Sequence, residues 1–140
     1  MENSESNPQA WTFFADNDLL AAETLVDNAE LSGETVFHCQ QAVEKYLKAF
    51  LAKSNISFKK THDLAELYSK IKEIKDWNID EVKLEELSDL YVESRYPSKV
   101  NFLANGSIPT QEDTKIFLEF AQSVAKIAKA EIQIAEVSNV

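Results

Sequence analysis

Few side chains in this sequence are equipped for chemistry, and they fall in three places: Arg95-Tyr96, the stripe His38, Gln41, Lys45 and Lys48, and His62. Arg95 is the only arginine. A guanidinium offers a planar fork to a phosphate, a lysine adds a point charge, and a tyrosine ring offers a stacking surface. Arg95 with Lys45 and Tyr96 therefore suits a groove that grips a phosphate. The same arginine is equally suited to a structural role, paired with a carboxylate such as Glu44 or with the last carbonyls of its own helix, because a buried guanidinium without a partner is costly. His38 reads either as bonded into the fold or as simply exposed on its stripe. His62 stands at an expected helix start, where the helix dipole favours the neutral imidazole.

Other chemistries are poorly served. Two histidines and a single cysteine match no closed zinc spacing, and no metal or other cofactor is expected. Two glycines, Gly33 and Gly106, cannot build a phosphate loop. Cys39 falls among apolar neighbours and reads as a small core residue rather than a nucleophile.

Helices must position these groups. Only two glycines and three prolines interrupt 140 residues, too few for a strand-and-turn architecture. Trp11, Phe14, Ala15, Leu19, Ala22, Val26 and Ala29 recur at steps of three and four, which predicts a first helix over about 10–30, closed by the Ser32-Gly33 break. A second, over about 34–54, carries a wide apolar arc of Val36, Cys39, Ala42, Val43, Tyr46, Leu47, Ala49 and Phe50, so it belongs at the centre of a bundle, with His38, Gln41, Lys45 and Lys48 on another side. Thr61 is the expected cap of a short third helix with Leu64, Leu67, Tyr68, Ile71 and Ile74 inward. A fourth begins near Asp80, turns Leu84, Leu87 and Tyr91 inward, and ends at Tyr96 because Pro97 disfavours helical geometry there, leaving Ser94 or Arg95 on the apolar side. A connection over 97–109 with an Asn105-Gly106 turn leads to Thr110, the cap of a fifth helix whose Ile116, Phe117, Phe120, Ala121, Val124, Ile127 and Ala128 face inward.

The apolar fraction of 44% supports one core. A polar start and the lack of any long apolar run point to a soluble, cytoplasmic protein without membrane contact. A net charge of −10 repels phosphate backbones in general, which argues against DNA. A local basic groove is still open to it, since seven of the thirteen lysines fall between Lys45 and Lys72.

The helical string HCQQAVEKYLKA from His38 to Ala49, the Thr61-His-Asp-Leu64 helix start and the Ser94-Arg-Tyr-Pro97 helix end, following a tryptophan-initiated first helix, resemble the HEPN domain over about residues 10–130. The resemblance implies an all-α, antiparallel up-and-down bundle of four to five helices forming one domain over 1–140. It further implies a homodimer, often encoded with a minimal nucleotidyltransferase in prokaryotic two-gene modules that behave as toxin and antitoxin. Some members are metal-independent ribonucleases in which an arginine is followed four to six residues later by a histidine, two such pairs meeting across the dimer. Here the corresponding positions hold Val100, Asn101 and Phe102. RNA cleavage without metal needs one group to take the 2′-hydroxyl proton and another to protonate the leaving oxygen, and neither asparagine nor phenylalanine titrates.

The leading expectation is thus a catalytically degenerate module that binds a nucleotide or RNA phosphate, or a partner protein, through Arg95, Tyr96, Lys45, Gln41 and His38. A ribonuclease that pairs Arg95 with His38 or His62 from another helix is the alternative. A helical scaffold with Arg95 in a structural ion pair is the third.

Overall fold

The computed structural model describes residues 7–93 and 109–138, with the side chains of 7–90 and 109–134. Arg95, Tyr96, the expected end of the fourth helix, the Asn105-Gly106 turn and positions 100–102 all lie outside the described residues.

The described residues are helical and contain no strand: α1 (Pro8–Leu25), a 3-10 turn (Ala29–Leu31), α2 (Ser32–Lys53), α3 (Leu64–Lys72), α4 (Glu81–Glu93) and α5 (Gln111–Ser138). Each begins where local chemistry lets it. Asn7 accepts from the Ala10 amide at 3.1 Å and Pro8 takes the first helical position, where a missing N–H is harmless. Thr110 and Asp113 cap α5 reciprocally, each side chain accepting from the other's amide at 3.0 and 2.8 Å.

Two boundaries differ from expectation. α1 stops at Leu25 rather than near 30, because the Asn28 side chain accepts from the Glu30 amide at 3.0 Å and starts a separate turn. Ser32-Gly33 then opens α2 instead of closing α1. The cap of α3 is Asp63, which accepts from the Glu66 amide at 3.2 Å, while Thr61 sits two residues earlier and accepts from the Asp63 amide at 3.1 Å.

α2 is central, burying Val36, Cys39, Ala42, Val43, Tyr46, Leu47, Ala49, Phe50 and Leu51. Ala15 and Ala22, two turns apart, are the fully buried residues of α1, and their small side chains let it lie close along α2. A narrow alanine seam leaves the flanks of α1 uncovered, so Phe14 is 52% exposed and Ala29 is exposed, contrary to the expected inward face. Ile74, two residues past α3, and Ile116 of α5 are also exposed, contrary to expectation, whereas Leu90, Leu118 and Ala125 join the core.

Cross-helix contacts fix the directions. Asp16 and Asp18 on α1 meet Tyr46, His38 and Lys45 on α2, while Trp11 lies over Lys48, so the two helices are antiparallel. Asp16 also pairs with Lys129 and Glu23 with Gln122, making α5 antiparallel to α1. Trp77, just before α4, packs on Phe50 near the end of α2. Ser88, mid-way along α4, reaches the His62 carbonyl to which Gln40 also donates. α4 therefore runs from the C-terminal half of α2 toward its N-terminal half.

Candidate functional site

Of the side chains singled out above, His38, Gln41, Lys45, Lys48 and His62 meet on one polar face of α2. Gln40, Glu44 and Lys48 follow one another at four-residue steps, and Glu44 is the hub: it accepts from Lys48 Nζ at 2.9 Å, from His62 Nδ1 at 2.9 Å and from Gln40 Nε2 at 3.2 Å. Its side chain is 4% exposed and that of Lys48 8%. A buried pair of this kind persists only when further hydrogen bonds satisfy both charges. Here Lys48 also lies 5.3 Å from the Trp11 ring centre and 5.9 Å from that of Phe58, two rings that pack edge to face at 6.3 Å. Lys48, expected on a narrow polar stripe beside the apolar arc, is buried with its charge answered inside the fold.

The neighbouring row holds His38, Gln41 and Lys45. Asp18, reaching over from α1, accepts from His38 Nδ1 at 2.9 Å through one oxygen and from Lys45 Nζ at 2.5 Å through the other. Phe14 stands 6.0 Å from the same lysine. Gln41 joins the rows by donating to Gln40 Oε1 at 2.7 Å. Of the expected ligand-binding set, His38, Gln41 and Lys45 are brought together; Arg95 and Tyr96 fall outside the described residues.

Both histidines share one device. A carboxylate only accepts, so Asp18 and Glu44 require the proton on Nδ1 of His38 and His62 and direct chemistry to Nε2. His62 is the more accessible, its side chain 55% exposed against 30% for His38. Its backbone carbonyl accepts from Gln40 and Ser88, which ties the start of α3 to both α2 and α4. Glu44, considered above as a partner for Arg95, already has three donors. Cys39 lies under this face, fully buried, and burial, helped by the charge of Glu23, pushes its thiol up to about 12. Among the described residues no group of His, Cys, Asp and Glu side chains could hold a metal ion. None of their helices is long and apolar enough to cross a membrane.

Asp18, Gln40, Glu44, Trp11 and Phe58 are the members of the site that sequence reasoning did not place in it. Asp18 stands 20 and 27 positions from its partners, so no local spacing announces it. Gln40, Glu44 and Lys48 do announce themselves by their four-residue steps. A concave feature of about 470 Å³, between the start of α1 and the latter part of α5, contains none of the site residues selected from the sequence.

The HEPN domain model matches residues 8–132, from the first turn of α1 into the last part of α5, and so spans this whole face. The chain belongs to the HEPN family. Membership gives this HEPN domain a role connected with nucleotides or RNA. A search of curated proteins gave no match, and neither did a search of solved structures.

Proposed function

We propose that this HEPN domain binds the phosphate of a nucleotide or RNA on the polar face of α2, with Arg95 and Tyr96 joining Lys45, Gln41 and His38. The observation that carries the reading is the convergence of His38, Gln41, Lys45, Glu44 and His62 on that face, toward whose N-terminal half α4, described as far as Glu93, runs. Buried Glu44 and Lys48 hold the face rigid, and Gln41 and the imidazoles supply hydrogen-bonding groups suited to a phosphate or a base. In this reading the protein is cytoplasmic and prokaryotic and forms a homodimer. It accompanies a minimal nucleotidyltransferase in a toxin-antitoxin-like pair and is catalytically degenerate, because positions 100–102 offer no titrating group. The test is a titration with labelled single-stranded RNA and with a mononucleotide. A hydrogen bond to a charged group is worth roughly 1.5–3 kcal/mol, so Arg95→Lys, which keeps charge and loses the fork, should weaken binding at least about tenfold. Equal affinity for wild type and Arg95→Ala would remove Arg95 from the site.

One observation favours a second reading, a metal-independent ribonuclease. Each histidine is oriented by a carboxylate at Nδ1, as a proton-transfer group needs to be. Robust cleavage by wild type in the presence of a chelator, lost in Arg95→Ala and in His38→Ala or His62→Ala, would establish it. No cleavage by wild type, with activity gained in Asn101→His, would establish degeneracy.

A further inference from the structure

α1 has two working sides. Phe14 and Asp18 turn to the polar face of α2, whereas Asp16 and Glu23 turn to α5. On this second side a groove of about 470 Å³ separates the start of α1 from the latter part of α5. Pro8, Phe13 and Ile132 give it apolar walls, and exposed Gln9 and Gln133 border it. The Asp16–Lys129 ion pair, at 2.6 Å, spans it at the end nearer the middle of both helices, and the Gln122–Glu23 bond at 2.9 Å closes the seam two turns further along α1.

Beside this seam the large apolar residues of α1 face solvent: Phe13 is 59% exposed and Leu20 61%. Seven residues separate them, so they stand on one stripe about 10 Å apart along the helix axis. Single exposed apolar residues are ordinary, but two on one stripe bordering an apolar groove make a contact surface. The stripe ends in acid. Glu23, Asp27 and Glu30 are exposed, and no lysine or arginine occurs before Lys45. α1 and α5 both rest on α2, so a helix laid in their seam, on the side away from α2, would complete a four-helix bundle.

We propose that the α1–α5 seam docks an amphipathic helix of a basic partner protein. The guest helix sets apolar residues spaced seven apart against Phe13 and Leu20, one of them entering the groove, and lays lysines or arginines over Glu23, Asp27 and Glu30. Charge selects this occupant. The α1 edge carries carboxylates without a cation, and the whole chain carries −10, so a basic helix is attracted where a second copy brings like charge to the face. On the α5 wall Lys129 is answered by Asp16 and Lys126 is exposed, which confines the guest's cations to the α1 flank and fixes its rotation. The inference is independent of the phosphate-binding reading, whose residues lie on the other side of α1.

The experiment titrates the full chain with a labelled, alanine-based synthetic helix of about 20 residues, bearing one row of leucines and one flank of lysines. Wild type should bind it and should not bind a shuffled isomer of equal charge in which the leucine row is broken. Phe13→Ala/Leu20→Ala removes two exposed side chains that the fold does not need, and should weaken binding at least about tenfold, as loss of the apolar anchors of an interface does. Val82→Ala, at a residue 68% exposed on α4, should change nothing. Asp27→Asn/Glu30→Gln should weaken binding about two- to fivefold and make it less dependent on salt. Equal affinity for the shuffled isomer, equal affinity of Phe13→Ala/Leu20→Ala, or no binding by wild type would overturn the proposal. Sedimentation showing a self-associated wild type that Leu20→Glu converts to monomer would give the face to a second copy and overturn it as well. RNA binding by Phe13→Ala/Leu20→Ala should match wild type, so loss of this docking surface leaves the phosphate site standing.

Discussion

Replacing Glu44 by glutamine keeps the volume of the hub and removes its charge. Lys48 then remains 8% exposed between Trp11 and Phe58, facing an amide in place of a carboxylate. Were the pair on the surface, its loss would cost about 0.2–1 kcal/mol, but removing one partner of a buried pair costs about 3–5 kcal/mol because the other charge is left uncompensated. The glutamine oxygen still accepts a hydrogen bond and the two aromatic rings still attract the ammonium, so the expected loss lies at the lower end, about 3 kcal/mol. That is a large share of the 5–15 kcal/mol or so that stabilises a domain. Removing both charges together, in Glu44→Leu/Lys48→Met, should return stability to within about 1 kcal/mol of wild type, since well-packed apolar replacements of buried ion pairs are often neutral. Urea unfolding followed by far-ultraviolet circular dichroism at neutral pH measures Glu44→Gln, and beside it the cycle of wild type, Glu44→Leu, Lys48→Met and Glu44→Leu/Lys48→Met. A loss below about 1 kcal/mol for Glu44→Gln, or a double variant as unstable as the sum of the singles, would refute the claim that this is a buried, mutually dependent pair.

The thiol of Cys39, raised by burial from 9.0 to about 12, should not react with an aromatic disulfide reagent until the protein is unfolded. Because its folded value lies above the unfolded one, the stability it contributes is fully present below pH 9.0 and is lost as pH rises toward about 12. Cys39→Ala should therefore flatten the alkaline limb of the stability profile, an effect read by thermal melts across that range. Asp18→Asn releases Lys45 and His38 from their shared carboxylate, so RNA binding should tighten and its salt slope steepen; under the ribonuclease reading the same change lowers cleavage by misorienting His38. Homodimerisation, expected from the family resemblance and from apolar character extending along α5 to exposed Ile134, implies an interface of roughly 1,200–2,000 Å², and a monomer in sedimentation at tens of micromolar would remove it.

The helical class, the five α-helices and the central position of α2 were all legible, because periodic apolar residues survive any detail of packing. Boundaries were less so where a side chain offers the backbone a competing bond, as Asn28 does after α1 and Asp63 does in place of Thr61. The apolar face of α1 was overdrawn: sequence weighs Phe14 above Ala15, whereas a close helix pair selects the small residue and leaves the large one at the edge. In the candidate site, the polar stripe of α2 was visible from spacing alone. Its meaning was not, since the carboxylates that orient both histidines come from 20 and 18 positions away. Lys48 shows the same limit: four-residue steps mark it as one of a row with Gln40 and Glu44, but nothing local marks that row as buried.

The most direct test of phosphate recognition on the polar face of α2 is a nitrogen-proton correlation spectrum of the labelled protein during titration with single-stranded RNA. The expected result is concentrated shifts at the side-chain amides of Gln40 and Gln41 and at the imidazoles of His38 and His62, absent in Arg95→Ala. Shifts confined to the α1–α5 groove around Phe13 and Gln133, or unchanged by Arg95→Ala, would contradict it.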